Sequence, residues 1–268
     1  MNEYSALFNQ DQNKTIGICY EWEIPALEKD LQELSAKYNL VIYGLPIKGL
    51  VNKNSADPSM DLIKDYRDGK IDSFVRGVND DYTFIGKYKK EFKFEKIMRL
   101  AFLKDYHGRE FCLGPLSASE AVDAEDRLNY ALVACRFIQA MGVKPRVAVM
   151  SICRKGSTNF SESNKVNWQE SENIVEQLHS NGFEAENMGI EIDKAVERFN
   201  FILPVNGVVG NQLFRTLVLL GGGSVLGMPA FNVEDFALCY EDNSRNEVSY
   251  NSHIKAAIVW SNIGKHYN

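Results

Sequence analysis

The chain alternates short β-type apolar runs with segments whose apolar residues recur at helical spacing. "KTIGICY" (14–20) is a run of the first kind. "IPALEKDLQELSAKY" follows, with Leu27, Leu31, Leu34 and Tyr38 at helical spacing. "NLVIYGLP" predicts the next strand, closed by Gly44 and Pro46, and "DPSMDLIKDYRDGK" predicts a helix with Pro58 in its first turn. "IDSFVRG" predicts another strand. Alternation of this kind predicts a parallel sheet with helices packed on it.

The middle of the chain departs from that rhythm. "EKIMRLAFLKDYHGREFCLGPL" is two apolar runs around "KDYHGR", and Gly108 in so short a polar connection predicts an antiparallel hairpin. A helix is predicted over "DAEDRLNYALVACRFIQAMG". Asp123 is its N-cap, acidic residues fill its first turn and Gly142 is its stop. "VKPRVAVMSI" predicts a strand, "RKGSTNFSESNK" a polar loop, "WQESENIVEQLHSNG" a helix ending at Gly182, "EIDKAVERF" a short helix and "NFILPV" a buried strand.

Residues 206–230, "NGVVGNQLFRTLVLLGGGSVLGMPA", then predict a loop, a helix over "NQLFRTLVLL", a glycine terminator and a strand. The glycines fail two phosphate-binding patterns. Gly210 is followed by Asn211 and Gln212 rather than the Lys-Ser/Thr of a phosphate loop. The spacing here is G-x-x-G, not the G-x-G-x-x-G of a dinucleotide fold. Gly221 to Gly223 are read as a helix end. Gly210 and Asn211 are read as topping a helix whose free N–H groups and dipole suit an anion.

Composition narrows the class. A formal charge of −6 over 268 residues, with no dominant basic stripe, argues against nucleic acid as partner. The densest basic run, "KYKKEFKFEK" (87–96), is read as a solvated face. No apolar run reaches the roughly 18 residues of a membrane span, and "MNEYSALFNQDQNK" lacks the pattern of a signal peptide. Five cysteines (19, 112, 135, 153, 239) stand singly, which predicts reduced thiols in a cytoplasmic protein. Four isolated histidines give no metal-ligand spacing, so no metal is expected.

Three segments, in order, resemble the phosphate acetyl/butyryl transferase family. In residues 123–158, Met150, Ser151, Lys155, Gly156 and Ser157 match the family's M-L-S-x-S-x-K-G-S segment. In residues 200–227, Gly210 and Asn211 match its G-N-I-x-Y-K helix, with Arg215 where lysine is usual. In residues 241–260, Asp242, Ser244 and Arg245 match its D-L-S-R-G-C motif. With its shorter length and divergent motifs, the chain looks most similar to a methanogen marker group called MtxX, labelled as a methyltransferase-related subunit.

The resemblance implies an α/β protein of isocitrate/isopropylmalate dehydrogenase-like fold, two α/β/α domains with a cleft between them. Residues 1–122 plus 236–268 would build one domain and residues 123–235 the other. It implies transfer of an acyl group between a coenzyme A-type thiol and phosphate, with coenzyme A or acyl-CoA as substrate and no tightly bound cofactor. A homodimer and a protein partner in methanogenesis are the further expectations. Arg245 suits phosphate, since a guanidinium binds its oxygens bidentately and keeps its charge. Ser244 is the expected oxyanion donor, with Asp242 beside it in the catalytic motif. Lys155, Gly156, Ser157 and Thr158 form an expected phosphate-binding loop at the carboxyl edge of a sheet, together with Gly210, Asn211 and Lys87. Lys87 stands near the position of the family's early arginine. Asn251 occupies the position of the family's aspartate base, and an amide takes no proton at neutral pH. The competing expectation is therefore an assisting subunit that binds a CoA-like or phosphorylated ligand. A metal-dependent decarboxylating dehydrogenase would need clustered aspartates, for which Asp235 and Asp242 are thin support. A TIM-barrel methyltransferase would need an unbroken eightfold alternation, which the hairpin interrupts.

Overall fold

The structure is a computed structural model that describes residues 3–9, 13–232, 236, 238–243 and 248–263. The chain divides into two compact units, one of Leu7–Ile97 with Gly227–Asn268 and the other of Met1–Ala6 with Met98–Leu226. We call these the terminal and the central unit. In chain order the strands are β1 (Thr15–Tyr20), β2 (Asn39–Gly44), β3 (Val51–Lys53), β4 (Ser73–Val78), β5 (Met98–Arg99), β6 (Ala101–Lys104), β7 (Glu110–Leu113), β8 (Arg146–Met150), β9 (Glu184–Gly189), β10 (Phe201–Leu203), β11 (Ser224–Gly227), β12 (Pro229–Phe231) and β13 (Cys239–Glu241). The helices are α1 (Pro25–Leu34), α2 (Pro58–Arg67), α3 (Asp81–Phe92), α4 (Ala124–Ala140), α5 (Glu162–Ser180), α6 (Ile192–Arg198), α7 (Gly207–Arg215) and α8 (Asn251–Ile263).

The terminal unit is a three-layer sandwich. Within it the sheet runs β3-β2-β1-β4-β13-β12, parallel from β3 to β13 with β12 antiparallel to its neighbour. Alternation along β1 divides the core. Ile16, Ile18 and Tyr20 face Leu27, Leu31, Ile254 and Ile258 of α1 and α8. Cys19 lies in the second cluster, with Leu62 and Ile63 of α2 and Phe84 and Tyr88 of α3. The basic run at 87–96 is therefore half structural, because Tyr88 is fully buried against Tyr240 while the lysines turn outward.

The central unit carries the sheet β11-β6-β7-β10-β8-β9. Strands β7, β10, β8 and β9 are parallel, and β6 and β7 form the expected antiparallel hairpin, with Ala101 opposite Leu113. That pairing separates the units elsewhere than the expected 122/123 and 235/236. β7 is hydrogen-bonded beside β10 at Cys112–Phe201, so the hairpin belongs to the central sheet, and the terminal unit resumes at Gly227. α4 starts at its Asp123 cap, whose carboxylate accepts from Asp126 N at 2.8 Å, and it ends at Gly142, whose φ is +83°. The polar loop expected over 154–165 is shorter than read. Ser161 caps α5 by accepting from Asn164 N at 3.1 Å, so the helix begins at Glu162.

Candidate functional site

In parallel α/β sheets ligands gather at the carboxyl ends of the strands, and each unit has its own such edge. In the terminal unit the ends of β4 and β13 are locked together. Arg76 is 2% exposed. Its Nε donates to Asp242 Oδ1, its Nη1 to Asn79 Oδ1 at 3.0 Å and its Nη2 to the carbonyl of Asn243. Asn243 closes the clamp by accepting from Gly77 N at 2.8 Å and donating to Gly77 O at 3.1 Å. Burial opposes the Arg76 charge, yet the Asp242 carboxylate outweighs it and holds the pKa above the ordinary value. Asp242 is thus the buried partner of Arg76, placed just before Ser244 and Arg245, which lie outside the described residues.

Around this clamp, Ser59 Oγ donates to Glu21 Oε1 at 2.5 Å, and Cys19 Sγ stands 3.5 Å from the same oxygen. Burial pushes the Cys19 thiol up to about 12, so it is no thiolate at neutral pH. Lys87 is engaged, its Nζ 2.6 Å from Asp57 Oδ1. Asp57 also caps α2 by accepting from Met60 N at 3.2 Å. Burial works against the Asp57 carboxylate, but Lys87 and the Met60 amide outweigh it and hold its pKa below the usual range. Asn251 is the exposed first residue of α8, and its Oδ1 accepts from Tyr38 at 3.3 Å.

In the central unit the loops after β7, β8 and β10 share the carboxyl edge. Ser151 is buried and donates to Asn187 Oδ1 at 2.8 Å. Lys155 to Phe160 form a 3₁₀ turn in which Lys155 and Gly156 are exposed and Ser157 and Thr158 half-buried. Thr158 Oγ1 donates to Lys155 O at 3.1 Å.

Residues 206–211 differ from the expected open loop. Asn206 is the N-cap of α7, accepting from Val209 N at 3.0 Å, so Gly207 and Gly210 fall inside the helix's first turn. A Cβ on Gly207 would lie 1.7 Å from Ser117 O, and one on Gly210 1.8 Å from Pro115 O. The pair is a flat helix face against the 114–120 loop, and Asn211 Nδ2 binds the same loop at Leu116 O, 3.0 Å away. The triple glycine does end the helix, after a π turn at Thr216–Leu220.

Sequence reasoning missed four buried charged groups, Arg76, Arg127, Glu241 and Glu120. Arg76 sits inside an apolar strand run and Arg127 lies one turn from Tyr130 and Ala131 on the buried stripe of α4, signals that were available. Glu241 is fully buried, with Oε1 2.6 Å from His253 Nδ1 and Oε2 accepting from Trp260 Nε1 at 2.5 Å. A further carboxylate, Glu120, accepts from Leu116 N at 2.9 Å and Ser117 N at 3.2 Å through Oε2. Its Oε1 has no hydrogen-bond partner and lies 3.6 Å from Arg99 Nη1.

Burial raises the Glu120 pKa to about 7, against the opposing charge of Arg99 and the backbone amides. A carboxylate raised in the folded state holds its proton longer there than in the unfolded chain. Stability therefore falls as pH rises from the unfolded value of 4.5 through about 7. That displacement corresponds to about 3 kcal/mol. Denaturant titrations at pH 5 and pH 8 are expected to give the native protein a stability advantage over Glu120→Gln that shrinks by an amount of this order. Parallel pH profiles for the two proteins would remove Glu120 as the source.

Among the described residues no group of three or more His, Cys, Asp or Glu side chains could hold a metal ion, and no helix is long and apolar enough to cross a membrane. All five cysteines are free and buried.

The pair of α/β units has the fold of the phosphotransacetylases. It matches a branched-chain phosphotransacylase from Enterococcus faecalis V583 with a TM-score of 0.70, at 14% identity over 92% of this chain and 99% of that one. The EutD phosphotransacetylase from Staphylococcus aureus gives 0.66 at 15% identity, over 98% of this chain and 100% of that one. By sequence, the chain resembles the MtxX group. It is 29% identical over 220 residues to the Methanosarcina mazei protein named "Putative methyltransferase mtx subunit X", covering 82% of this chain and 76% of that one. No family model matches the chain.

Proposed function

We propose that the protein is a phosphate acyltransferase-like transferase, moving an acyl or related group between a CoA-type thiol and phosphate. The observation that carries the reading is the ordered match of Met150–Ser157, Gly210–Asn211 and Asp242–Arg245 in a chain of phosphotransacetylase fold. In the reaction the acyl carbon leaves sulfur for a phosphate oxygen, and the thiolate takes a proton. Arg245 binds the phosphate as a bidentate cation and Ser244 donates to the oxyanion. Asp242, held by Arg76, fixes the start of the segment that carries them. At the carboxyl edge of the central sheet Lys155 supplies a cation and Ser157 a hydroxyl donor, Gly156 and Thr158 shape their turn, and Gly210 and Asn211 hold the neighbouring loop. Lys87, tied to Asp57, contributes by ordering the start of α2. Coenzyme A is a substrate here rather than a resident cofactor. A homodimer is part of the reading, supported by Leu219 and Leu220, which are 53% and 83% exposed at the end of the π turn that follows α7.

A second reading, an assisting subunit that binds such a ligand without turning it over, is favoured by Asn251. That amide stands where the resembled family has its base, and the sequence relatives are named as a methyltransferase subunit. Thermal unfolding with coenzyme A, acetyl-CoA and phosphate separates the outcomes, with Arg245→Ala as control. A ligand at about 100 times its dissociation constant stabilises by roughly 2.7 kcal/mol. Stabilisation of the native protein but not the variant, together with acetyl phosphate formed from acetyl-CoA and phosphate, is the expected result. Stabilisation without product selects the assisting subunit. No stabilisation by any of the three ligands rejects both readings.

A further inference from the structure

Arg127 is a buried cation with no ion-pair partner among the described residues. It lies on the stripe of α4 that also carries Tyr130, Ala131 and Ala134, and it is 3% exposed. Its Nε donates to Pro204 O at 2.9 Å, its Nη2 to Met150 O at 2.6 Å and Leu203 O at 3.3 Å, and its Nη1 to Ser171 Oγ at 3.2 Å. None of these acceptors is ionised, and no carboxylate among the described residues lies within ion-pair distance of it. Burial pulls its pKa down to about 10, opposed by the charge of Glu170, so the guanidinium stays protonated at neutral pH. Arg76 in the terminal unit gives the contrast, because it is equally buried but faces Asp242.

A buried charge without a counter-charge is costly to hold, and its field is poorly screened by the protein around it. Its acceptors locate that field. Met150 ends β8, Leu203 ends β10 and Pro204 follows it, so the guanidinium occupies carbonyls that would otherwise turn negative dipoles toward the carboxyl edge. The two chain segments leaving those residues carry Ser151 to Thr158 and Asn206 to Asn211.

We infer that Arg127 supplies the positive potential of an anion site at the carboxyl edge of the central sheet, formed by the loops after β8 and β10. The site takes the phosphate or carboxylate group of a ligand, which balances the charge from outside while exposed Lys155 and half-buried Ser157 make the contacts and Thr158 holds their turn by donating to Lys155 O. Arg127 is a positioning residue, acting through the field and through the carbonyls it orders. The inference rests on the transferase reading for its loops, but requires only anion binding.

The test titrates inorganic phosphate, and separately acetate, into the native protein, Arg127→Lys, Arg127→Met and Arg245→Ala, read by calorimetry. Native protein is expected to bind at least one of the two anions. Lysine keeps the charge and loses the forked hydrogen bonds, so affinity within about threefold of native is expected, with a lower unfolding midpoint. Methionine removes the charge, and affinity at least tenfold weaker is expected. If Arg127→Met does not fold, Arg127→Gln takes its place, with the same expected loss. Binding by the neutral variant within twofold of native overturns the inference, and so does loss in Arg127→Lys as complete as in the neutral variant. No binding of either anion by the native protein overturns it as well. Loss in Arg245→Ala alone leaves the transferase reading standing without this inference. Loss in the neutral Arg127 variant, with no acetyl phosphate ever formed, leaves the inference standing without the transferase reading.

Discussion

Arg76→Met is expected to destabilise the protein by about 3–5 kcal/mol, the range for breaking a buried ion pair from one side. The substitution strands the Asp242 carboxylate, which is 7% exposed, and removes the donors to Asn79 and to the carbonyl of Asn243. The cost comes mainly from the orphaned charge rather than from a large net attraction. Two further variants test that cause. Asp242→Leu alone is expected to be costly too, since it leaves a buried guanidinium. Combining it with Arg76→Met is expected to recover a large part of the loss, because an apolar pair of similar volume needs no desolvation of charge. Urea unfolding of the four proteins measures the cycle. Strictly additive losses would contradict a coupled pair. The same cycle bears on function, because Asp242 and Asn243 lead directly into Ser244 and Arg245.

Gly207→Ala and Gly210→Ala are each expected to cost about 3 kcal/mol or more, at the upper end for overpacking, or to prevent folding. The added methyl would lie 1.7 Å from Ser117 O in the first and 1.8 Å from Pro115 O in the second. Both obstacles are backbone, which gives way less readily than a side-chain tip. Gly156→Ala is the control, since nothing lies within 4 Å of the Cβ it would add. It is expected to change stability by no more than about 0.5 kcal/mol. A loss below about 1 kcal/mol in both helix variants would contradict the close approach of α7 to the 114–120 loop.

These two results also mark how far the sequence could be read. The alternation of apolar runs leads to strands β1, β2 and β4 and helices α1 and α2 because each of those patterns is a local property of consecutive residues. The hairpin β6–β7 follows from Gly108 in a short polar turn, and both ends of α4 follow from Asp123 and Gly142, for the same reason. The start of α7 was misread because glycine is ambiguous on its own. "NGVVGN" has the composition of a loop, and only the proximity of Pro115 and Ser117 makes a helical turn without side chains the stable solution there. α3 was masked by its lysines, with Tyr88 visible as core only once Phe74, Phe84 and Tyr240 surround it.

By itself, the sequence determined the α/β class, the antiparallel hairpin and the caps of the long helix, along with the order of the segments that resemble the phosphotransacetylase motifs. Tertiary structure alone decided what the charged residues do. Asp242 became the counter-charge of a residue 166 positions away, Lys87 was taken up by Asp57, and Arg127 was enclosed by carbonyls from two separated segments together with the Ser171 hydroxyl. A carboxylate or guanidinium has the same covalent form wherever it stands. Its role is set by the distance and burial of partners far away in the chain, and local pattern carries no record of either.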